Sequence, residues 1–302
     1  MKYLRSTPLL FLWLSIIFNT VHAEILVTDS FESRDFSASS ATTNIINFQW
    51  GGVNKTGIIT QESDSGRRVY PTNRDEYFND GQDWSAKDGD HSLSLEYPAD
   101  AHMSEQRFSF SEQNELWIRY WTRVPTNFYH GSSNNKFFAL WENDYGNRAL
   151  NLRWQTHSSG GGSAVLDVQD GGGTVAVERT PFITVPDDQG RWMQIVIHVK
   201  AATSGSAGDG IVQLYRRWEN EPDFTILHDI QNSINQWNGD GAGWAYGYFM
   251  GWANAAYTTN TWWLIDNVEF SSTSLLDIED ESTNFALPPS NFTGNANSSI
   301  IN

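Results

Sequence analysis

"ELWIRYWTRV" (Glu115–Val124) separates into two sets when every second residue is read. Leu116, Ile118, Tyr120, Thr122 and Val124 fall on one side, and Trp117, Arg119, Trp121 and Arg123 on the other. Strict alternation marks a strand with one face in a core. The second side mixes large rings with cations, where a merely solvated face favours Thr, Ser, Lys and Glu. "RWMQIVIHVKA" (Arg191–Ala201) repeats the pattern: Met193, Ile195, Ile197 and Val199 oppose Trp192, Gln194, His198 and Lys200, with Val196 between. In "ALNLRWQ" (Ala149–Gln155), Leu150, Leu152 and Trp154 oppose Asn151, Arg153 and Gln155. As neighbours in one sheet, these three strands would line a concave polar and aromatic surface, the makeup of an extended glycan groove.

Nine further runs read as strands, among them "NKFFALW" (Asn135–Trp141), "GIVQLYRRW" (Gly210–Trp218) and "TWWLIDNVEFSS" (Thr261–Ser272). Helical periodicity is hard to find. Twelve short strands punctuated by Gly, Asn, Asp and Ser predict an all-β fold of two stacked antiparallel sheets. "SSGGGS" (Ser158–Ser163) reads as a hairpin turn. The strand pattern spans residues 24–272 as one domain. Residues 273–302 are polar, carry Pro and Asn, and lack alternation; they read as a flexible tail or linker. Residues 1–23 begin with Lys2 and Arg5, continue through the apolar "PLLFLWLSIIF" and end in "VHA". That is the pattern of a secretory signal peptide, which predicts an extracellular or periplasmic protein.

The 302 residues carry 19 Lys and Arg against 36 Asp and Glu, a net charge of −17. Removal of the first 23 residues takes away two cations and no acid, so the charge becomes −19. Such a surface argues against nucleic acid as a partner. No stretch after the leader has the roughly 20 apolar residues of a membrane span. There is no cysteine, which excludes thiol chemistry. Fourteen tryptophans and eleven tyrosines suit a sugar-binding protein, because pyranose faces stack on aromatic rings. The expected partner is a polysaccharide, and the protein is expected to act as a monomer without an organic cofactor.

The segments "DGDHSLSLEY", "ELWIRYWTRVPTNFYHGSSNNKFFALW", "GRWMQIVIHVKAATSGSAGDGIVQLY" and "FMGWANAAYTTNTWWLIDNVEFSS" cover most of residues 88–272. They resemble the concanavalin A-like jelly-roll polysaccharide lyases of the alginate- and glucuronan-lyase type. The third segment, a tryptophan-bearing strand followed by an aspartate-glycine strand, carries the likeness most clearly. The resemblance implies β-elimination on a uronate-containing glycan. Those lyases share a lysine after a glycine, a serine-x-arginine strand and a tyrosine-x-tyrosine strand. Here Lys136 lacks the preceding glycine, Asn151-x-Arg153 stands for serine-x-arginine, and Tyr246-x-Tyr248 comes far later in the chain.

β-Elimination requires that the sugar carboxylate be neutralised, that a base take the proton beside it, and that an acid protonate the leaving oxygen. Arg153 and Asn151 suit the first task. Lys136 or His198 suits the second, with Arg153 lowering the lysine pKa. Tyr120, Tyr215, Tyr246 or Tyr248 suits the third. Trp117, Arg119, Trp121, Arg123 and Gln194 are candidates to bind substrate, with His130 flanking from the "NFYHGSSNN" loop. "ENDYGN" (Glu142–Asn147) competes as a hydrolase motif, but it ends in Asn147 and reads as a turn. "DSFESRDFS", "AKDGDHSL" and "LIDNVEF" resemble carbohydrate-binding jelly rolls that hold a structural calcium; Glu32, Asp88 and Asp266 are the implied ligands. The alternative to a lyase is a non-catalytic, lectin-like carbohydrate-binding module; a structural or adhesive surface protein is a third reading.

Overall fold

A computed structural model describes residues 24–36, 46–63, 65–70, 76–78, 82–131, 134–143, 145, 151–169, 179–204, 206–233 and 243–276. The expected signal peptide and residues 277–302 lie outside this set. Among the described residues there are seventeen strands and no helix, and therefore no helix long and apolar enough to cross a membrane.

The strands form two antiparallel sheets. One has seven strands, in the order β12 (Thr180–Ile183), β11 (Ala164–Gln169), β10 (Leu152–Ser158), β9 (Asn135–Trp141), β16 (Trp244–Trp252), β7 (Met103–Gln113), β2 (Gln49–Asn54). The other has ten. Its order is β15 (Thr225–Ser233), β14 (Gly210–Trp218), β13 (Trp192–Lys200), β8 (Glu115–Arg123), β17 (Thr261–Ser271), β6 (His91–Tyr97), β3 (Thr56–Glu62), β4 (Ser65–Tyr70), β5 (Glu76–Phe78), and β1 (Ile25–Asp29) also pairs with β17. Two stacked antiparallel sheets of this kind make a β-jelly-roll sandwich, as the alternation predicts.

The core lies between the sheets. Phe108, Phe138, Leu140, Trp154, Leu166, Val168 and Phe249 come from the seven-stranded sheet; Ile118, Tyr120, Ile195, Ile197, Leu214 and Phe270 come from the ten-stranded one. Rings interlock across the gap: Tyr120 meets Phe249 edge-on at 4.8 Å, and Phe108 meets Phe270 at 5.4 Å. Each fully buried side chain of this size contributes about 1.5–3 kcal/mol. Glycines at φ +93°, +60° and +84° (Gly160, Gly161, Gly162) make the predicted turn between β10 and β11.

Each of the twelve expected runs contains a strand among its described residues; Ala149, Leu150 and Asp170 lie outside them. The five that the alternation misses are β2, β4, β5, β12 and β15, and four of these are the outermost strands of their sheets. An edge strand packs fewer neighbours and needs less apolar sequence. β15 reads "TILHDIQNS", and β2 carries two adjacent glycines.

A second apolar cluster lies outside the sandwich. Trp121, Trp192, Trp262, Leu264 and Ile59 pack with Trp84 on the outer face of the ten-stranded sheet. The segment carrying Trp84 therefore covers part of that face. At the end of the described chain, Leu275 is fully buried and its carbonyl accepts a hydrogen bond from Arg119 at 3.1 Å.

Candidate functional site

The three alternating strands do not share a surface. β8 and β13 are neighbours in the ten-stranded sheet, whereas β10 lies in the other sheet, across the core. Register places Trp117 beside His198, Arg119 beside Val196 and Trp121 beside Gln194. These residues are absorbed by structure. Arg119 pairs with Glu269 at 2.5 Å, and Arg123 with Asp83 at 3.2 Å and the Gly190 carbonyl at 2.9 Å. Trp121 lies under Lys87 and Arg217, and Gln194 accepts from Arg217. His198 lies flat against Trp117 at 3.9 Å, with Glu115 and Gln213 on its two nitrogens. Tyr120 is in the core. His130 is buried too: its ring contacts the Thr156 hydroxyl at 2.8 Å and the Gly131 carbonyl at 2.7 Å, and burial lowers its pKa. It props the end of β10.

The other outer face gathers what remains. Leu152 and Trp154 point into the core, so Arg153 and Gln155 point away from it. Cross-strand register then lines up one row over five strands: Arg107 on β7, Tyr248 on β16, Ala139 on β9, Arg153 on β10 and Gln169 on β11. Lys136 pairs with Gln155 in the adjoining row, after a bulge in β9. A Cβ built on Gly251 would lie 2.9 Å from the Tyr248 ring and 3.3 Å from Lys136 Cβ, so Lys136 and Tyr248 flank one point.

Trp141, Ala139 and Tyr248 form a small apolar cluster on this face, against which Tyr145 packs. The hydroxyls of Tyr145 and Tyr248 are 3.1 Å apart, and Arg153 Nη1 reaches the Tyr145 hydroxyl at 3.4 Å. Asn151 donates its amide to the Tyr145 carbonyl. Tyr246, 40% exposed, lies parallel to Trp141 at 6.1 Å. Gly247, between the two tyrosines, faces the core. A Cβ there would meet the Phe108 ring at 2.3 Å, so only glycine lets the strand close over that phenylalanine.

The electrostatics suit proton transfer. Burial, then the Arg153 charge, lowers the Lys136 pKa, which raises its neutral fraction. Burial, then the neighbouring Tyr145, pushes Tyr248 well above the ordinary phenol value, so it stays protonated. A cavity of about 500 Å³ opens on the same face beside Arg107, Trp141, Tyr145 and Tyr246. Arg107, with its guanidinium Nε on Glu105, is a candidate that alternation alone does not single out. Its strand "QRFSF" reads as an ordinary half-polar run; only the register with Tyr248 brings it into line with Arg153.

Glu32, Asp88 and Asp266 meet at one corner, where backbone N–H groups reach at least one oxygen of each, and Glu32 Oε2 contacts His91 Nδ1 at 2.9 Å. Asp266 Oδ2 accepts from the Lys87 and Asp88 N–H groups at 2.9 and 3.1 Å, and Oδ1 from Asn267 at 2.8 Å. Glu32 Oε1 accepts from Asp90 and His91 at 2.9 and 2.8 Å, and Asp88 Oδ1 accepts from Gly89. Among the described residues, no group of three His, Cys, Asp or Glu side chains is placed to hold a metal ion.

No protein-family model and no curated protein matches the sequence. Among solved structures, the chain is similar to an alginate lyase at 13% identity, covering 72% of this chain and 97% of the other, with a TM-score of 0.49. It is similar to an endo-β-1,4-glucuronan lyase from the fungus Trichoderma reesei at 10% identity, covering 74% and 91%, with a TM-score of 0.41. It is also similar to the catalytic domain of a glycoside hydrolase family 131 protein from Coprinopsis cinerea at 13% identity, covering 85% and 98%, with a TM-score of 0.47.

Proposed function

We propose that the protein is an exported polysaccharide lyase that cleaves an acidic, uronate-containing glycan by β-elimination on the outer face of the seven-stranded sheet. One observation carries this reading: Lys136, Arg153 and the Tyr145–Tyr248 phenol pair converge on one patch, with a lysine shifted toward its neutral form and a tyrosine held protonated.

The roles follow from the chemistry. Arg153 holds the sugar carboxylate and stabilises the charge that develops at C5. Neutral Lys136 Nζ takes the C5 proton. The C4–O bond breaks as the C4–C5 double bond forms, and the leaving oxygen takes its proton from the phenol pair, Tyr145 being the half-buried member nearer the groove. Tyr248 is only 2% exposed, which favours a second reading, a lectin-like module that uses the same face without cleavage.

The deciding experiment mixes the protein with polymannuronate, polyguluronate and polyglucuronate and follows ultraviolet absorbance from the new double bond. A rise that Lys136→Ala lowers by about 10²–10⁴-fold, as for loss of a general base, supports the lyase. Retention on polyuronate gels with no such rise establishes the binding module instead.

A further inference from the structure

We propose that the cavity beside Arg107 is a separate subsite for a carboxylate-bearing sugar ring, and that the polymer leaves it across the Gly51–Gly52 edge of the sheet, so that cleavage is internal. This rests on the lyase reading and adds a binding position and a cleavage mode to it.

The cavity, about 500 Å³, is framed by Gly51, Gly52, Arg107, Trp141, Asn143 and Tyr246. That volume falls in the range of sites that enclose a small-molecule-sized ligand. Tyr246 offers a ring face, backed by the parallel Trp141. The Arg107 side chain is half exposed, and its Nε is fixed by Glu105, so its guanidinium stands oriented at the cavity wall. Arg107 and Arg153 occupy one cross-strand row, three strand spacings apart, about 14 Å at the usual separation. A chain crossing the strands would meet these two guanidinium groups in turn, with Tyr248 between.

Among the described residues, nothing covers the edge beyond, where Gly51 and Gly52 are exposed. β2 is the outermost described strand of its sheet, and its pairing with β7 slips between Trp50 and Val53, at the two glycines. A Cβ on Gly52 would meet nothing within 4 Å. Neither glycine has positive φ, so the backbone does not require glycine there; what the missing side chains provide is clearance. A wall at this edge would confine the site to chain ends, whereas an open edge lets the polymer continue.

Two variants test this. Gly52→Phe puts a ring in the exit, and Arg107→Gln removes the charge. Each is checked for an unchanged melting temperature, then assayed on polymannuronate for KM, kcat and early product length. The wild type should release long products first. Arg107→Gln should raise KM about tenfold, the scale of one charged hydrogen bond, with little change in kcat. Gly52→Phe should raise KM and shift early products toward short ones. Wild-type protein that releases only mono- and disaccharides from the start, or variants with wild-type KM and product lengths, would overturn the proposal while leaving the lyase reading intact. Absence of unsaturated product from every polyuronate removes the lyase reading instead. Retardation in polymannuronate gels is then the readout: weaker retardation of Arg107→Gln supports the subsite, and equal retardation overturns it.

Discussion

The two outer faces of the sandwich carry the same written pattern and different fates. β8 and β13 put Trp117, Arg119, Trp121, Arg123, Gln194 and His198 outward; β9, β10 and β16 put out Lys136, Arg153, Tyr246 and Tyr248. On the ten-stranded side, Trp84 and its segment cover Trp121, Trp192 and Trp262, and Glu269 and the Leu275 carbonyl take Arg119. On the seven-stranded side a cavity stands open. Aromatic and cationic residues on a strand face thus mark either a binding surface or the seat of a covering segment. What distinguishes them is whether another part of the chain brings complementary groups.

The largest test of that contrast is Trp84→Ala. It opens a hole in the cluster over the ten-stranded sheet and should cost about 3–5 kcal/mol in a denaturant titration, while polyuronate binding by the folded fraction stays at the wild-type level. A binding defect as large as the stability defect would show that the covered face also serves the ligand.

Next comes Asp29, which joins the two sheets at their edge. Its Oδ2 accepts from Trp50 Nε1 at 2.6 Å and its Oδ1 from the Phe31 N–H at 2.8 Å. Burial pushes its pKa up from 3.8 to about 6. Folding therefore favours the protonated acid: the stabilisation is complete below the ordinary value and is lost as pH rises through 6. The shift corresponds to about 3 kcal/mol. Asp29→Asn should flatten this dependence, so the stability difference between variant and wild type should move in the variant's favour by roughly that amount between pH 4 and pH 7.5. A constant difference across that range would remove the linkage.

The smallest effect is expected at His198. Its ring is engaged by Glu115, Gln213 and Trp117. His198→Ala should leave the rate on polyuronate within about twofold, well below the 10²-fold scale of a lost general base. A loss on that scale would return the ten-stranded face to the active site.

These contrasts mark how far the sequence can be read. Period-2 alternation gives twelve of the seventeen strands, because each must bury one face, and misses chiefly the edges. It says nothing of which sheet receives a strand, since β8, β10 and β13 alternate alike and only the hydrogen-bonded order separates them. Lys136, Arg153 and the Tyr246–Tyr248 pair were legible from residue type and the lyase resemblance. Arg107 and Tyr145 were not: Arg107 matters through register with a strand far along the chain, and Tyr145 through a turn that folds its ring onto Tyr248.

Gly247 ties the groove to the core beneath it. The space its missing side chain leaves is filled by the Phe108 ring, while Tyr246 and Tyr248 on either side of it point to the groove. A side chain at position 247 would meet both that ring and, at 2.7 Å, the Ala139 carbonyl of the neighbouring strand, so a smaller residue at position 108 would not by itself make room for it. The backbone between the two tyrosines is therefore pinned by the adjoining strand as well as by the core, which sets the spacing of the two rings along the groove.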